Sequence, residues 1–399
     1  MNVLILSTYE KAGGAAIAAS RLRCALQKKG VSVSMLTAGK GCLKGHTWQF
    51  LWERLVIFAR NRFSSANLWA VDIANAGEDV TASEAFRNAD IIHLHWINQG
   101  FLSMQTLEKI VSSGKTVVWT MHDAWNSTGI CHLTMNCENY REECGRCMYL
   151  AVRGDNDLSH KIWKKKHSLY SKNNIRFVSC SEWLREKVLG SKLMARQDVV
   201  TIPNPIDTSC YYPCEKAESR HALGLPQEKK LLLFVAQGVN NPNKGMQYLI
   251  EAMRRINGED IALVMLGGKS SEIIDALDGI TVCALGYVTG TETIRQAYSS
   301  ADAFVLPSLS ENLPNTIMEA MACGTPCVGF RVGGIPEMIS HKQTGYVAEY
   351  RNAGDLASGI RYVLDGSNAE RLSQESLRKV RECYSEDAVA SKYIELYSR

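Results

Sequence analysis

Short apolar runs, each too short for a core helix, recur along this chain with longer amphipathic stretches between them, at residues 3–7, 91–96, 117–120, 177–179, 231–236, 262–266, 281–285, 303–306 and 326–330. An uninterrupted apolar run bounded by turn residues reads as a strand buried on both faces. Strands alternating with helices are joined by crossovers into parallel sheets. The runs fall into two sets separated by residues 199–213, where Pro203, Pro205 and Pro213 among polar turn residues read as a linker. The expected fold class is therefore α/β with two Rossmann-like domains, one over 1–200 and one over 201–384. Parallel sheets bind ligands beyond the carboxyl ends of their strands, so two such domains facing each other are expected to form a binding cleft.

Composition narrows the function classes. A chain of 399 residues with 46% hydrophobic and 22% charged residues is globular and long enough for two cores. The formal net charge of +4 creates no field that selects nucleic acid, so no nucleic-acid partner is expected. The start, MNVLILSTYEKAGG, reads as a first strand and not as a signal peptide, and no run reaches the length of a membrane span. An odd count of 13 scattered cysteines fits reduced thiols, and the expected location is cytoplasmic.

After the first strand, Gly13 and Gly14 open a helix, a place where backbone N–H groups can approach a phosphate. The loop lacks the G-x-G-x-x-G of a dinucleotide fold, which disfavours a dehydrogenase. A more specific pattern runs from Ser308 to Pro326. Pro314 suits the beginning of a helix and Gly324 with Pro326 its end, so the helix is short and starts from a strand-end loop. Glu311 on that loop and Glu319 on the helix can offer two carboxylates to sugar and ribose hydroxyls. Asp155 and Asp157 form an Asp-x-Asp, but in a polar loop that follows no strand, which disfavours a metal site there.

On these residues the chain resembles the family-4 retaining glycosyltransferases of the GT-B fold, with their E-x7-E spacing followed by a G-T-P turn. The resemblance extends over the early glycine loop, residues 200–207, Lys244-Gly245, residues 333–337 and Thr344-Gly345-Tyr346, and it implies a closing helix over 385–399 that crosses back to the first domain. It implies transfer of a sugar from a nucleotide diphosphate donor to a saccharide or lipid-linked saccharide, in surface polysaccharide synthesis, with no catalytic cofactor. It assigns Glu319 to ribose, Glu311 to the transferred sugar and Lys244 to the diphosphate, with Gly13, Gly14, Asn312, Asn315 and Thr316 around the donor. His122, after the run 117–120, matches the family histidine at the sugar-facing edge of the first domain; His93 and His95 alternate beside it. The family arginine six residues before the lysine is replaced by Gly238. A non-hydrolysing nucleotide-sugar epimerase and a non-catalytic nucleotide-sugar-binding protein are the alternative readings.

Two features lie outside that pattern. Residues 47–63 interleave Trp48, Phe50, Trp52, Leu55 and Phe58 with Arg54, Arg60 and Arg62, and residues 161–167 add a second basic cluster. Such a composition suits an anionic membrane surface as well as packing on the first domain. Cys131, Cys137, Cys144 and Cys147 fall close together, the last two as C-x2-C around Gly145; a structural zinc site, two disulfides and free thiols all remain open.

Overall fold

The apolar runs become the strands of two parallel sheets. The computed structural model describes residues 1–39, 46–238, 240–256, 259–268, 271–274, 277 and 279–399. They divide into two compact units, the first formed by Met1–Pro203 with Val389–Arg399, the second by Asn204–Ala388.

The first unit contains β1 (Asn2–Ser7), β2 (Ser32–Thr37), β3 (Ile91–Leu94), β4 (Thr116–Met121), β5 (Arg176–Ser179) and β6 (Val199–Thr201). They pair in parallel in the order β2-β1-β3-β4-β5-β6. Alternate residues face opposite ways. Leu4, Leu6, Ile92, Trp119 and Phe177 pack with Leu107, Ile110, Trp163 and Leu169 on one face. Val3, Ile5, Val118 and Val178 pack with Leu22, Leu26, Val389 and Tyr393 on the other. The second face also carries polar groups that tie down the end of the chain. His93 Nδ1 lies 2.7 Å from the Tyr397 hydroxyl and His93 Nε2 lies 2.8 Å from Thr120 Oγ1, which lies 2.9 Å from the Tyr393 hydroxyl.

The segment read as a linker differs at its start. Residues 199–201 are the edge strand β6, with Phe177 opposite Val199. Val-Val-Thr is a β-branched run, and a proline just past an edge strand removes no ladder hydrogen bond. β3 also ends two residues early, because the His95 N–H turns to Leu6 O at 2.9 Å and the Thr8 N–H to Trp96 O at 2.8 Å.

The second unit contains β7 (Lys230–Gly238), β8 (Ile261–Gly268), β9 (Thr281–Gly286), β10 (Ala303–Leu306), β11 (Cys327–Phe330) and β12 (Gly345–Ala348), all parallel, in the order β12-β11-β10-β7-β8-β9. β12 is a strand that apolar runs do not reveal, since it follows the polar turn at Thr344 and is only four residues long. The strand order reverses between β7 and β10, and in the first sheet between β1 and β3. Those reversals are where an open parallel sheet leaves a crevice at its carboxyl edge.

Candidate functional site

In the second unit the loops after β7 and β10 interlock at the reversal point. The Asn241 side chain caps the turn Pro242–Lys244, accepting from the Asn243 N–H at 3.0 Å. Gly245 follows with φ +68°, and a Cβ there would stand 1.8 Å from Pro307 O, so only glycine lets the loops touch. The Leu309 N–H donates to Asn243 O at 2.8 Å and Asn243 Nδ2 donates to Ser310 O at 3.0 Å. These contacts bring Lys244 Nζ to 2.6 Å from Glu311 Oε1. From the other side Gly333, at φ +59°, lies so close that a Cβ would sit 1.7 Å from Glu311 O, and the Gly334 N–H donates to Asn312 O at 2.9 Å. Glu311 is thus fixed by backbone contacts from two neighbouring loops.

The short helix runs from Asn315 to Ala322, capped by Pro314 and ended by Gly324 at φ +75°. Asn315 and Thr316 are half-buried at its first turn. Glu319, 8% exposed, faces inward, and its Oε2 accepts from the Tyr298 hydroxyl at 3.1 Å. Burial and the adjacent Glu319 hold the Tyr298 hydroxyl well above its ordinary pKa, so it stays a donor. The two glutamates therefore have unlike surroundings: Glu311 is half-buried and ion-paired, Glu319 buried and tyrosine-bonded. Gly238 closes β7 opposite Gly268, and a Cβ there meets only Asn240 Oδ1 at 3.4 Å. Val239 lies outside the described residues.

The first unit carries a second polar site at its own reversal point. Gly13 caps the helix Gly14–Lys28 at φ +87° with open space where a Cβ would be, and no acidic residue occupies the first turn. Beside it Tyr9 stacks on Trp96 at 6.3 Å, and the Tyr9 hydroxyl donates to Gln99 Oε1 at 2.8 Å. His122 Nε2 lies 2.9 Å from His95 Nδ1, and His122 Nδ1 lies 3.5 Å from Cys180 Sγ. The Cys180 thiol donates to Met121 O at 3.2 Å, so the consistent tautomers put a proton on His122 Nδ1 and on His95 Nδ1. Burial pulls His122 down to about 4, which keeps it neutral. Both its ring nitrogens face protein groups, so bonding a ligand requires one of these contacts to open.

Next to His122 runs a charge relay that sequence reading missed. The Trp125 N–H donates to Asp123 Oδ1 at 2.8 Å and Trp96 Nε1 donates to Asp123 Oδ2 at 3.0 Å. His132 bridges Asp123 at 2.8 Å and Asp72 at 2.6 Å, and Arg54 closes the chain on Asp72. Burial pulls His132 down, but Asp123 and Asp72 outweigh it and hold the imidazolium up at about 10. Asp72 lies 60 residues from His132, so no local spacing marks the pair.

The other candidates are placed as follows. Asp157 caps the helix Leu158–Lys172 and Asp155 pairs with Arg146 at 2.7 Å. The basic cluster 161–167 lies on that helix but is not all surface: Lys161, Lys164 and Lys165 are exposed while Lys166 is buried. Cys131, Cys137, Cys144 and Cys147 are free thiols, and among the described residues no three His, Cys, Asp or Glu side chains form a ready metal-holding group. In the helix His46–Arg60 the usual polarity is inverted. Glu53 and Arg54 are buried, Glu53 Oε1 accepting from Ile73 N–H at 2.8 Å and Ala74 N–H at 2.7 Å. Trp48, Leu51, Trp52 and Leu55 are exposed. Packing on the first unit is therefore done by a mixed face, Glu53 and Arg54 together with Ile57. Among the described residues no helix is long and apolar enough to cross a membrane.

Two parallel sheets with helices on both faces, and polar residues gathered where each strand order reverses, define a GT-B glycosyltransferase architecture. The family model for Glycosyltransferase Family 4 matches residues 12–209 and that for Glycosyl transferases group 1 matches residues 229–366. The chain belongs to the family-4-like glycosyltransferases of the GT-B fold. It is 29% identical to an uncharacterized glycosyltransferase of Methanocaldococcus jannaschii over 82% of this chain and 89% of that one. It is 22% identical to N-acetyl-alpha-D-glucosaminyl L-malate synthase of Bacillus anthracis, over 98% and 95% of the two chains. Among solved structures, sucrose-phosphate synthase from Thermosynechococcus elongatus shares the fold with a TM-score of 0.69 at 18% identity, covering 100% of this chain and 98% of that one.

Proposed function

We propose that this glycosyltransferase is a retaining enzyme that moves a sugar from a nucleotide diphosphate donor to a saccharide or lipid-linked saccharide acceptor, without a catalytic metal. The observation that carries the reading is the Lys244–Glu311 pair, 2.6 Å apart, held by interlocked loops at the reversal point of the second sheet. A donor diphosphate supplies the anion that Lys244 now takes from Glu311, and the released carboxylate is free to accept from hydroxyls of the sugar. The buried Glu319 is the carboxylate assigned to the ribose hydroxyls.

A retaining transfer of this kind uses no nucleophile from the protein. The donor phosphate oxygen accepts the acceptor's proton while the new bond forms on the face that the leaving group vacates. The chain supplies orientation and a cation where negative charge develops. In the first unit, Gly13 and Gly14 open a helix whose first N–H groups suit an anion such as a phosphate. The exposed tryptophans and leucines of the helix His46–Arg60, with Arg60 and Arg62 beside them, support work at an anionic membrane face, where lipid-linked acceptors of surface polysaccharide synthesis reside.

The test is a thermal-shift screen of nucleotides and nucleotide sugars, followed by product analysis with the donor that stabilises the protein. Release of free nucleoside diphosphate only when acceptor is present, with the anomeric configuration kept, is the expected result. Interconversion of the donor sugar without acceptor would make the protein an epimerase, and binding without turnover would make it a sugar-nucleotide receptor.

A further inference from the structure

Between the end of β4 at Met121 and the helix that begins at Leu158, the chain forms no strand and only two short helical turns, Trp125–Ser127 and Asn139–Arg141. A stretch this long inside a folded unit needs something to hold it. Some of that is apolar, since Cys131 and Cys147 pack with Ile57, Val71, Ile130, Leu150 and Ile162. The remainder gathers around a small cavity of about 10 Å³ lined by all four of Cys131, Cys137, Cys144 and Cys147, the size of one atom-sized occupant.

We propose that these four thiols hold one structural Zn²⁺ in that cavity. Three observations favour a metal over disulfides or plain packing. The backbone is already arranged around sulfur as an acceptor: the Gly129 N–H donates to Cys144 Sγ at 3.1 Å. Such N–H···S bonds orient metal-bound thiolates and spread their charge. Gly129 permits this approach, because a Cβ there would meet Ser159 O at 2.2 Å and Cys144 Cβ at 3.2 Å.

The second observation is a buried lysine. Lys166 is fully buried and its Nζ donates to Trp125 O at 2.6 Å and Thr128 O at 3.0 Å, over the Trp125 ring at 3.2 Å. Among the described residues it forms no salt bridge, and burial holds it well below its ordinary pKa. Zinc with four thiolates carries a net double negative charge, and would place it beside this lysine.

The third is spacing. The C-x2-C turn brings both Cys144 and Cys147 to the cavity, and Cys131, tied by its backbone bridge to Val71, packs in the same apolar cluster as Cys147. No three of these side chains converge on one point as they stand. Closing the site therefore requires thiols to swing between staggered χ1 wells into the cavity they line, to sulfur–metal distances of about 2.3 Å. With all four positions filled by sulfur the ion has no open site and takes no part in the transfer. Its effect is on the first unit alone. It fixes the loop that carries Asp123, Trp125 and His132, so the inference stands whatever the donor is.

The experiment is elemental analysis of protein purified without chelating resin. About one equivalent of zinc per chain is expected, released when the thiols are modified by an organomercurial. Cobalt substitution of the same protein should show thiolate-to-metal charge transfer and the intense visible bands of a tetrahedral site. Cys144→Ser should lower bound zinc to below about a fifth of an equivalent. Should that variant fail to fold, the wild-type cobalt spectrum decides alone. Less than about a tenth of an equivalent of zinc with all four thiols reacting in the native protein, or two disulfides in a non-reducing peptide map, overturns the proposal.

Discussion

Lys244 Nζ stands 2.6 Å from Glu311 Oε1, so the cation expected on the donor diphosphate and the carboxylate expected on the donor sugar neutralise each other in the free protein. Donor binding must separate them. Lys244→Ala should weaken binding of the active nucleoside diphosphate by roughly ten- to a hundredfold, the loss of one charged hydrogen bond of about 1.5–3 kcal/mol. Glu311→Gln should act oppositely on binding, because it removes Lys244's competing partner: affinity for the diphosphate holds or rises while kcat falls. Calorimetry and steady-state kinetics on both variants read this out. Weaker diphosphate binding in Glu311→Gln would show that the pair acts as one unit.

Glu319 is buried and its Oε2 accepts from the Tyr298 hydroxyl. Removing that donor lets the carboxylate turn away. Tyr298→Phe is expected to weaken nucleotide binding by about three- to tenfold through loss of one hydrogen bond worth about 0.5–1.5 kcal/mol, with kcat little changed. Glu319→Gln should weaken it further. Comparing KM with kcat for both variants checks the assignment, and a fall in kcat alone would move Glu319 from ribose to the reacting sugar.

Much of the fold and of the donor-side loop is legible in the amino-acid sequence. The apolar runs locate most strands, and Pro314, Gly324 and the E-x7-E spacing locate the short helix, because those signals are local. What escapes is set by distance along the chain. Tyr298 reaches Glu319 from the preceding helix, and His132 finds Asp72 across 60 residues. The inversion of the helix His46–Arg60 escapes for another reason. Its periodicity shows two faces but not which one is buried, and the answer depends on the Ile73 and Ala74 N–H groups and on Asp72, which take Glu53 and Arg54 inward.

Acid should loosen the first unit. Burial lowers His93 to about 3 and His122 to about 4, so both are neutral when folded at neutral pH. In the unfolded chain each takes up a proton near pH 6.5, and the unfolded state binds more protons below that value. The stability these groups leave intact above about pH 6.5 is therefore lost as pH falls toward about 4, by about 1.4 kcal/mol per pH unit for each histidine. Urea unfolding followed by tryptophan fluorescence should show a lower midpoint at pH 5 than at pH 7. An unchanged midpoint would mean that these imidazoles are charged within the fold.

The exposed face of the helix His46–Arg60 yields the last prediction. Trp48 is 76% exposed and Trp52 55%, with Leu51 and Leu55 on the same stripe, while the polar side chains Glu53 and Arg54 are spent on interior contacts. A helix that turns Trp48 and Trp52 outward and Glu53 and Arg54 inward gains from contact with an apolar boundary, and the exposed Arg60 at its end and Arg62 just beyond it favour an anionic one. The protein should cosediment with phosphatidylserine vesicles at low salt and dissociate as salt rises. Trp48→Ser combined with Trp52→Ser should reduce vesicle binding at least about tenfold, whereas its effect on folding stability stays within about 0.5 kcal/mol, since neither ring is packed in the core. A double variant that binds vesicles as before would remove the helix from the membrane contact. One that unfolds readily would show that the tryptophans support the fold.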